Sequence, residues 1–265
     1  MNIVKLPALN LTLHINRIAF TTFGIPIYWY GIIMVTAMIM GIITLKKQDE
    51  LFNINFNQVL DLLIFLIPIS IISARAYYVT FNLKYYLSNP AEILNMRNGG
   101  MAIYGGIIGG VITCAVYCKK RKINLLDVMD YLAPALVLGQ AIGRWGNFVN
   151  IEAYGKATTL PWRMGIYDAG QYMEVHPTFL YESLACFIIF IILLIITNKR
   201  KFKGQITYIY LIAYSLERAF VEGLRTDSLM LGEIRISQVL SIVIFIASLI
   251  IFIKQKMSQK CQKSQ

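Results

Sequence analysis

The chain has 265 residues, of which 57% are hydrophobic and 15% charged, and its mean hydropathy is +0.59. Soluble domains carry about a quarter charged residues, so a cytosolic enzyme, a disordered chain and a secreted disulfide scaffold are excluded. The formal net charge of +11 does not signal nucleic acid, because the basic residues are parcelled between apolar runs instead of lining one face.

The first 24 residues lack the uninterrupted apolar core of a signal peptide, so none is expected. Leu9, Leu11, Leu13 and Ile15 alternate with Asn10, Thr12, His14 and Asn16, the period of a half-buried strand or small hairpin on the outer surface. A membrane-crossing helix needs about 20 apolar residues. Seven runs qualify: about 25–45, 59–79, 101–118, 125–142, 178–197, 205–221 and 236–253. The longest segment between them, 143–177, is rich in Gly, Tyr and Trp and has too little apolar periodicity to span. The predicted fold is an all-α polytopic membrane protein, one integral membrane domain over 1–265 with small extracytoplasmic segments.

Lys and Arg mark the cytoplasmic side of a membrane protein. Basic clusters follow spans one, three, five and seven: Lys46 and Lys47; Lys119, Lys120, Arg121 and Lys122; Lys199, Arg200, Lys201 and Lys203; Lys254, Lys256, Lys260 and Lys263. The opposite side holds Lys5, Arg17, Lys84, Arg97, Arg144, Lys156, Arg163, Arg218, Arg225 and Arg235, scattered and mostly arginine. This bias places the N-terminus outside and the C-terminus in the cytoplasm. Cys114, Cys118, Cys186 and Cys261 show no metal or disulfide spacing and read as packing residues.

The segment 143–155 concentrates Arg144, Asn147, Asn150 and Glu152 with three glycines just beyond an apolar run. Such polar density beside lipid needs partners or a ligand; the plain alternative is an arginine reaching the headgroups and an asparagine cap. Near the end of span six, Arg218, Glu222 and Arg225 stand at i, i+4 and i+7, on one helical face. A structural salt bridge is the plain reading there, but the pairing leaves an excess of positive charge, and guanidinium groups bind phosphate through parallel hydrogen bonds. With Arg144 they suggest a pocket for a phosphate head.

Gly105 with Gly109, and Gly106 with Gly110, have the small-xxx-small spacing of close helix packing. Gly99-Gly100 suits a sharp bend or close approach to a ligand. Tyr104 is placed to reach the same cavity or to anchor at the interface. His176-Pro177 opens span five, and two histidines cannot assemble a metal cluster. Tyr28-Trp29-Tyr30-Gly31 reads first as an aromatic belt. Arg75, deep in span two, should face a polar cavity or pair with a carboxylate.

The pattern Gly-Arg-x-Gly-Asn-Phe-x-Asn-x-Glu-x-x-Gly at 143–155 resembles the signature of the prolipoprotein diacylglyceryl transferase family at every fixed position. Further landmarks similar to that family are Tyr30-Gly31, Gly99-Gly100-Met101 with Gly105-Gly106, His176-Pro177 with Leu180-Tyr181-Glu182, and Arg218 through Glu222 to Arg225. They run in the family's order over nearly the whole chain. The resemblance implies seven membrane helices with the N-terminus outside, in a bacterial cell membrane, and an active site toward the outer leaflet.

It also implies transfer of the diacylglyceryl group of phosphatidylglycerol to the lipobox cysteine thiol of a preprolipoprotein signal peptide, with a thioether formed and glycerol phosphate released. Arg144 and Arg218 would be the catalytic pair. Tyr30, Gly99, Gly100, Tyr104, Asn147, Asn150, Glu152, Gly155, His176, Glu222 and Arg225 would shape the substrate site, with Glu222 fixing Arg218. No metal or organic cofactor is implied. The sequence departs from the family at Tyr104, where many members carry a histidine, and a phenol accepts a thiol proton poorly near neutral pH. Around Arg75 it also lacks glycines common in the family. The rival functions are a phospholipid transporter, for which no internal repeat is found, and a non-catalytic lipid-binding membrane protein.

Overall fold

The computed structural model describes residues 2–52, 54–96, 99–168, 170–228 and 230–263. Arg97, and the side chains of Leu231, Lys260, Cys261, Gln262 and Lys263, lie outside the described residues, so the outer placement of Arg97 and the packing role of Cys261 fall outside them too. The chain forms two compact units: Met1–Gln48 with Asp130–Gln265, and Asp49–Met129.

In the first unit, β1 (Asn2–Leu6) and β2 (Leu11–Ile15) form an antiparallel hairpin, followed by a second hairpin of β3 (Ile18–Thr22) and β4 (Ile25–Tyr28). The alternation at 9–16 therefore marks a strand, but one that begins at Leu11, because 7–9 close a helical turn ending on left-handed Asn10. Helix α1 runs Trp29–Lys47. The apolar run at 25–45 thus begins in a strand, since Phe23 and Gly24 turn at positive φ and Ile25 to Tyr28 then pair with β3.

The second unit contains α2 (Phe56–Phe81), whose Asn55 cap and Gln58 form a capping box. A short α3 (Leu83–Ser88) and α4 (Ile103–Arg121) follow. The glycines of α4 explain the packing of α4 on α2. A Cβ on Gly105 would stand 2.4 Å from the Tyr77 Cβ, and one on Gly109 would stand 2.2 Å from the Ser73 Oγ. The small-residue stripe lets the backbones meet, with Ser73 and Ala74 of α2 against Gly105 and Gly109.

Helix α5 (Leu125–Asn150) continues eight residues past the predicted end at 142 and stops at left-handed Ile151. The polar signature therefore begins in the last two turns of a helix, and its first residues are fixed by helical geometry. Strands β5 (Met164–Asp168) and β6 (Gln171–Val175) extend the first hairpin into a sheet of order β2-β1-β5-β6. Val4, Met164, Ile166, Val175 and Phe179 are buried together beneath it. Helices α6 (Thr178–Thr197) and α7 (Gln205–Leu224), the small pair β7 (Met230–Leu231) and β8 (Ile234–Arg235), and α8 (Ile236–Lys263) complete the unit.

Among the described residues, five helices are long and apolar enough to cross a membrane: α1, α2, α5, α6 and, in α8, Ile236–Gln259. Helix α4 is diluted by four glycines and a basic last turn, and α7 by Glu217, Arg218 and Glu222. Val239, Val243, Ile246 and Ile250 of α8 are exposed, as a lipid-facing stripe requires. The protein is a mostly helical, polytopic membrane protein. At the other end of α6, buried Asp130 accepts from Arg200 Nε, the Gly204 and Thr207 amides and the Thr207 hydroxyl, so one carboxylate satisfies the first turn of α7. Cys114, Cys118 and Cys186 are free thiols buried in packing.

Candidate active site

Glu182, in the second turn of α6, is only 1% exposed and is the hub of the site. Its Oε2 receives Arg144 of α5 in an ion pair and Arg218 of α7 at 3.0 Å, and its Oε1 receives Arg225 at 3.3 Å. Arg218 also lies 2.5 Å from Glu222 Oε2, one helical turn on, as expected of a carboxylate that fixes it. This second contact is a close charge pair without an aligned hydrogen bond.

Arg225 departs from the expected geometry. Helix α7 ends at Leu224, and Arg225 is extended (φ −70°, ψ 151°) and bridged to Gly155, so it does not share the face of Arg218 and Glu222. It grips Asp227 with both ends of its guanidinium, at 2.9 and 2.8 Å. Burial alone would raise the Asp227 carboxyl, but the Arg225 hydrogen bonds hold it below the usual carboxylate range. Glu182, Glu222 and Asp227 together balance Arg144, Arg218 and Arg225, so the expected excess of positive charge is not observed.

What remains for a ligand is hydrogen-bond capacity. A guanidinium has five N–H donors. Among the described residues, Arg144 makes one ion pair through one amino group, and Arg218 turns each of its amino groups to one carboxylate, leaving one N–H on each and its Nε–H. Both side chains stay 19% exposed. The arrangement is a rigid set of permanently charged donors, held by a buried carboxylate and accessible to an incoming phosphate oxygen.

The helix end carrying Arg144 is locked by packing. Trp145 donates from Nε1 to Ser183 at 3.1 Å, and its ring meets Phe179 edge-on at 5.6 Å, while Phe148 lies 4.7 Å from the Phe179 ring. Gly146 is glycine because a Cβ there would stand 2.7 Å from the ring of Tyr30. Tyr30 thereby sits within electrostatic reach of Arg144 and Glu152. In the last turn of the helix, Asn147 donates to Glu152 at 2.9 Å and Asn150 reaches the same oxygen at 3.5 Å. Left-handed Ile151 and Ala153 fold the chain back to make this closed amide–carboxylate cluster.

Gly155 and His176 pack closely together. A Cβ on Gly155 would lie 2.6 Å from the His176 Cβ and 3.2 Å from the Leu224 carbonyl, where three segments converge. His176 Nδ1 is 3.2 Å from the Tyr181 hydroxyl, which also accepts from Trp162 at 2.8 Å. Tyr154 donates to Asp168 at 2.7 Å, and this bond pushes its phenol up to about 12, tying the signature to the β5–β6 hairpin. Gly99, Gly100 and Tyr104 belong to the second unit, the first two at positive φ and Tyr104 half-buried in the first turn of α4.

Two acidic residues gained no role from the sequence. Glu182 had a signal, as the only charge in its apolar run, by the same reasoning that singled out Arg75. Glu217, one residue before Arg218, has both carboxylate oxygens buried without a hydrogen-bond partner and lies in the electrostatic neighbourhood of Glu182, Arg144 and Arg218. Nothing in its spacing distinguished it from a surface residue.

The sequence profile of the prolipoprotein diacylglyceryl transferase family matches residues 17–254. A Finegoldia magna protein called phosphatidylglycerol–prolipoprotein diacylglyceryl transferase is 52% identical over 242 residues, covering 91% of this chain and 96% of that protein. Proteins with the same name from Clostridium novyi and Clostridioides difficile are 47% and 48% identical, covering 92% and 89% of this chain and 98% and 93% of theirs. The chain belongs to the prolipoprotein diacylglyceryl transferase family.

Proposed function

We propose that this protein transfers the diacylglyceryl group of phosphatidylglycerol to the cysteine thiol of a preprolipoprotein, the reaction named for its relatives. The observation that carries the reading is the placement of Arg144 and Arg218 on one buried carboxylate, with donors to spare on side chains that stay partly exposed. The substrate brings the nucleophile, so the enzyme needs no catalytic cysteine. The thiol sulfur attacks the glyceryl carbon bound to the phosphate oxygen; a C–S bond forms and the C–O bond breaks. The thiol proton ends on the released glycerol phosphate, and the products are the thioether and a phosphate monoester.

Negative charge builds on the phosphate as the C–O bond breaks. Donors already fixed in place stabilise that charge more than the ground-state diester, which lowers the barrier. Arg144 and Arg218 do this, and Arg225 extends the anionic site. Glu222 holds Arg218, while Tyr30, Asn147, Asn150 and Glu152 orient the lipid head. Gly155 and His176 shape the outer rim, and Gly99, Gly100 and Tyr104 line the substrate path. Tyr104 contributes shape and a hydrogen bond rather than accepting the thiol proton.

The protein works as a single integral membrane domain crossing the bilayer seven times, with the N-terminus outside, the C-terminus in the cytoplasm and the site toward the outer leaflet. The basic clusters after alternate spans support this orientation. A cysteine at exposed Ala157, with the native cysteines replaced, is expected to react with a membrane-impermeant thiol reagent in intact cells, and one at Ser258 is not. The reversed pattern overturns the orientation.

Purified protein incubated with phosphatidylglycerol and a lipobox peptide tests the reaction. The peptide is expected to gain the mass of a diacylglyceryl group. Lipid binding without that gain would instead identify a non-catalytic lipid-binding protein, and lipid translocation without it a transporter.

A further inference from the structure

We propose that Arg75 is a positioning residue for the transfer reaction, a staple that sets the Gly99-Gly100 turn and acts on substrate only through that turn. The proposal rests on the transferase reading and extends it to a residue that the arginine cluster does not include.

An arginine inside an apolar helix is by default a candidate ligand site. The geometry of Arg75 removes that option. Its Nε donates to the Ile93 carbonyl at 2.9 Å, one amino group to Gly99 and Gly100 at 2.9 and 2.7 Å, and the other to Glu92 and Asn95 at 2.6 and 3.0 Å. A guanidinium has five N–H donors, and all five are used on backbone carbonyls. The group is buried, 5% exposed, with the ring of Tyr86 5.1 Å away. No donor is left for a phosphate, in contrast to Arg144.

These carbonyls come from a segment without a regular ladder, a single helical turn at Pro90–Leu94 with irregular chain at 95–96 and 99–102. One side chain answers five carbonyls of this segment, and only the one on Glu92 has a second donor among the described residues, the Asn95 amide at 3.1 Å. The glycines match this solution. Gly99 and Gly100 have φ of +84° and +77°. A Cβ on Gly99 would meet nothing within 4 Å, whereas one on Gly100 would stand 2.3 Å from an Arg75 amino nitrogen and 3.0 Å from the Tyr78 ring. Gly100 is therefore glycine partly because of Arg75. The adjacent Ala74 carbonyl accepts from the Ala102 amide at 3.1 Å, so the 74–75 stretch of α2 fixes both the turn and the entry to α4.

Arg75→Lys keeps the charge but offers a single-point ammonium that cannot span five carbonyls. Gly100→Ala keeps Arg75 but displaces it. Each is expected to raise KM for phosphatidylglycerol tenfold or more while kcat changes less than threefold. The double variant is expected to be no worse than the poorer single within about twofold, because both act through one turn. Hydrogen exchange in peptides covering 92–95 and 99–102 is expected to quicken at least tenfold in both single variants, while that of α6 stays unchanged.

Unchanged KM in Gly100→Ala, or multiplying effects in the double variant, overturns the proposal. Exchange in those peptides at the wild-type rate overturns it whether or not the wild-type protein makes product. Absence of product from the wild type, by contrast, overturns the transferase reading itself. Should Arg75→Lys fail to insert, Gly100→Ala alone carries the KM and exchange tests.

Discussion

Lysine in place of Arg144 or Arg218 is expected to slow thioether formation by about a hundredfold to a thousandfold, a loss of roughly 2.7–4 kcal/mol of transition-state stabilisation. The charge survives the change, so the effect isolates geometry. A planar guanidinium can hold Glu182 through one nitrogen and still present others to a phosphate oxygen, whereas an ammonium is a single point that does one or the other. The two variants should differ in stability. Arg218 bridges Glu182 and Glu222, so its replacement loosens two carboxylates, and Arg144 meets only Glu182 among the described residues. Mass spectrometry of the lipobox peptide, normalised to correctly inserted protein, measures the rate. Near-normal product from both variants would refute the phosphate-binding assignment.

The sequence made the long apolar helices α1, α2, α5, α6 and α8 legible, because a helix satisfies every backbone group of an apolar run within lipid. It placed their ends less well. The run at 25–45 hid a strand, since Ile25 to Tyr28 are equally at home in a β-hairpin, and the turn at Phe23 and Gly24 decides the matter. The run ending at 142 hid two further helical turns, because Arg144, Asn147 and Asn150 look like a loop when judged by polarity but satisfy one another and their neighbours as a helix end. The arginines of the site were found from type and spacing. Their common anchor was not, because Glu182 meets Arg144, Arg218 and Arg225 across three segments that are 38, 36 and 43 positions away in the chain. Arg75 was recognised as anomalous, yet its partners are carbonyls, which every residue type has and no sequence pattern reveals.

Glu182→Gln is expected to be the most damaging single change at the site, lowering stability by about 3–5 kcal/mol because it leaves buried positive charge uncompensated. For a chain of this size that corresponds to a fall on the order of 10 °C in the thermal midpoint, measurable in detergent. The geometry also says which arginine is orphaned. Arg225 keeps Asp227 and Arg218 keeps Glu222, but Arg144 forms no ion pair with any other described carboxylate. Removing the orphaned charge as well should therefore relieve the defect: Glu182→Gln with Arg144→Gln is expected to regain much of the stability while remaining inactive. Glu182→Gln with Arg225→Gln should regain little, since it abandons Asp227 without helping Arg144. This pattern separates a hub carboxylate from a merely polar contact, because coupling between neighbours appears only as non-additivity. Equal recovery in both double variants, or a thermal midpoint for Glu182→Gln within about 2 °C of wild type, less than about 1 kcal/mol, would mean that Glu182 does not hold the arginines in place.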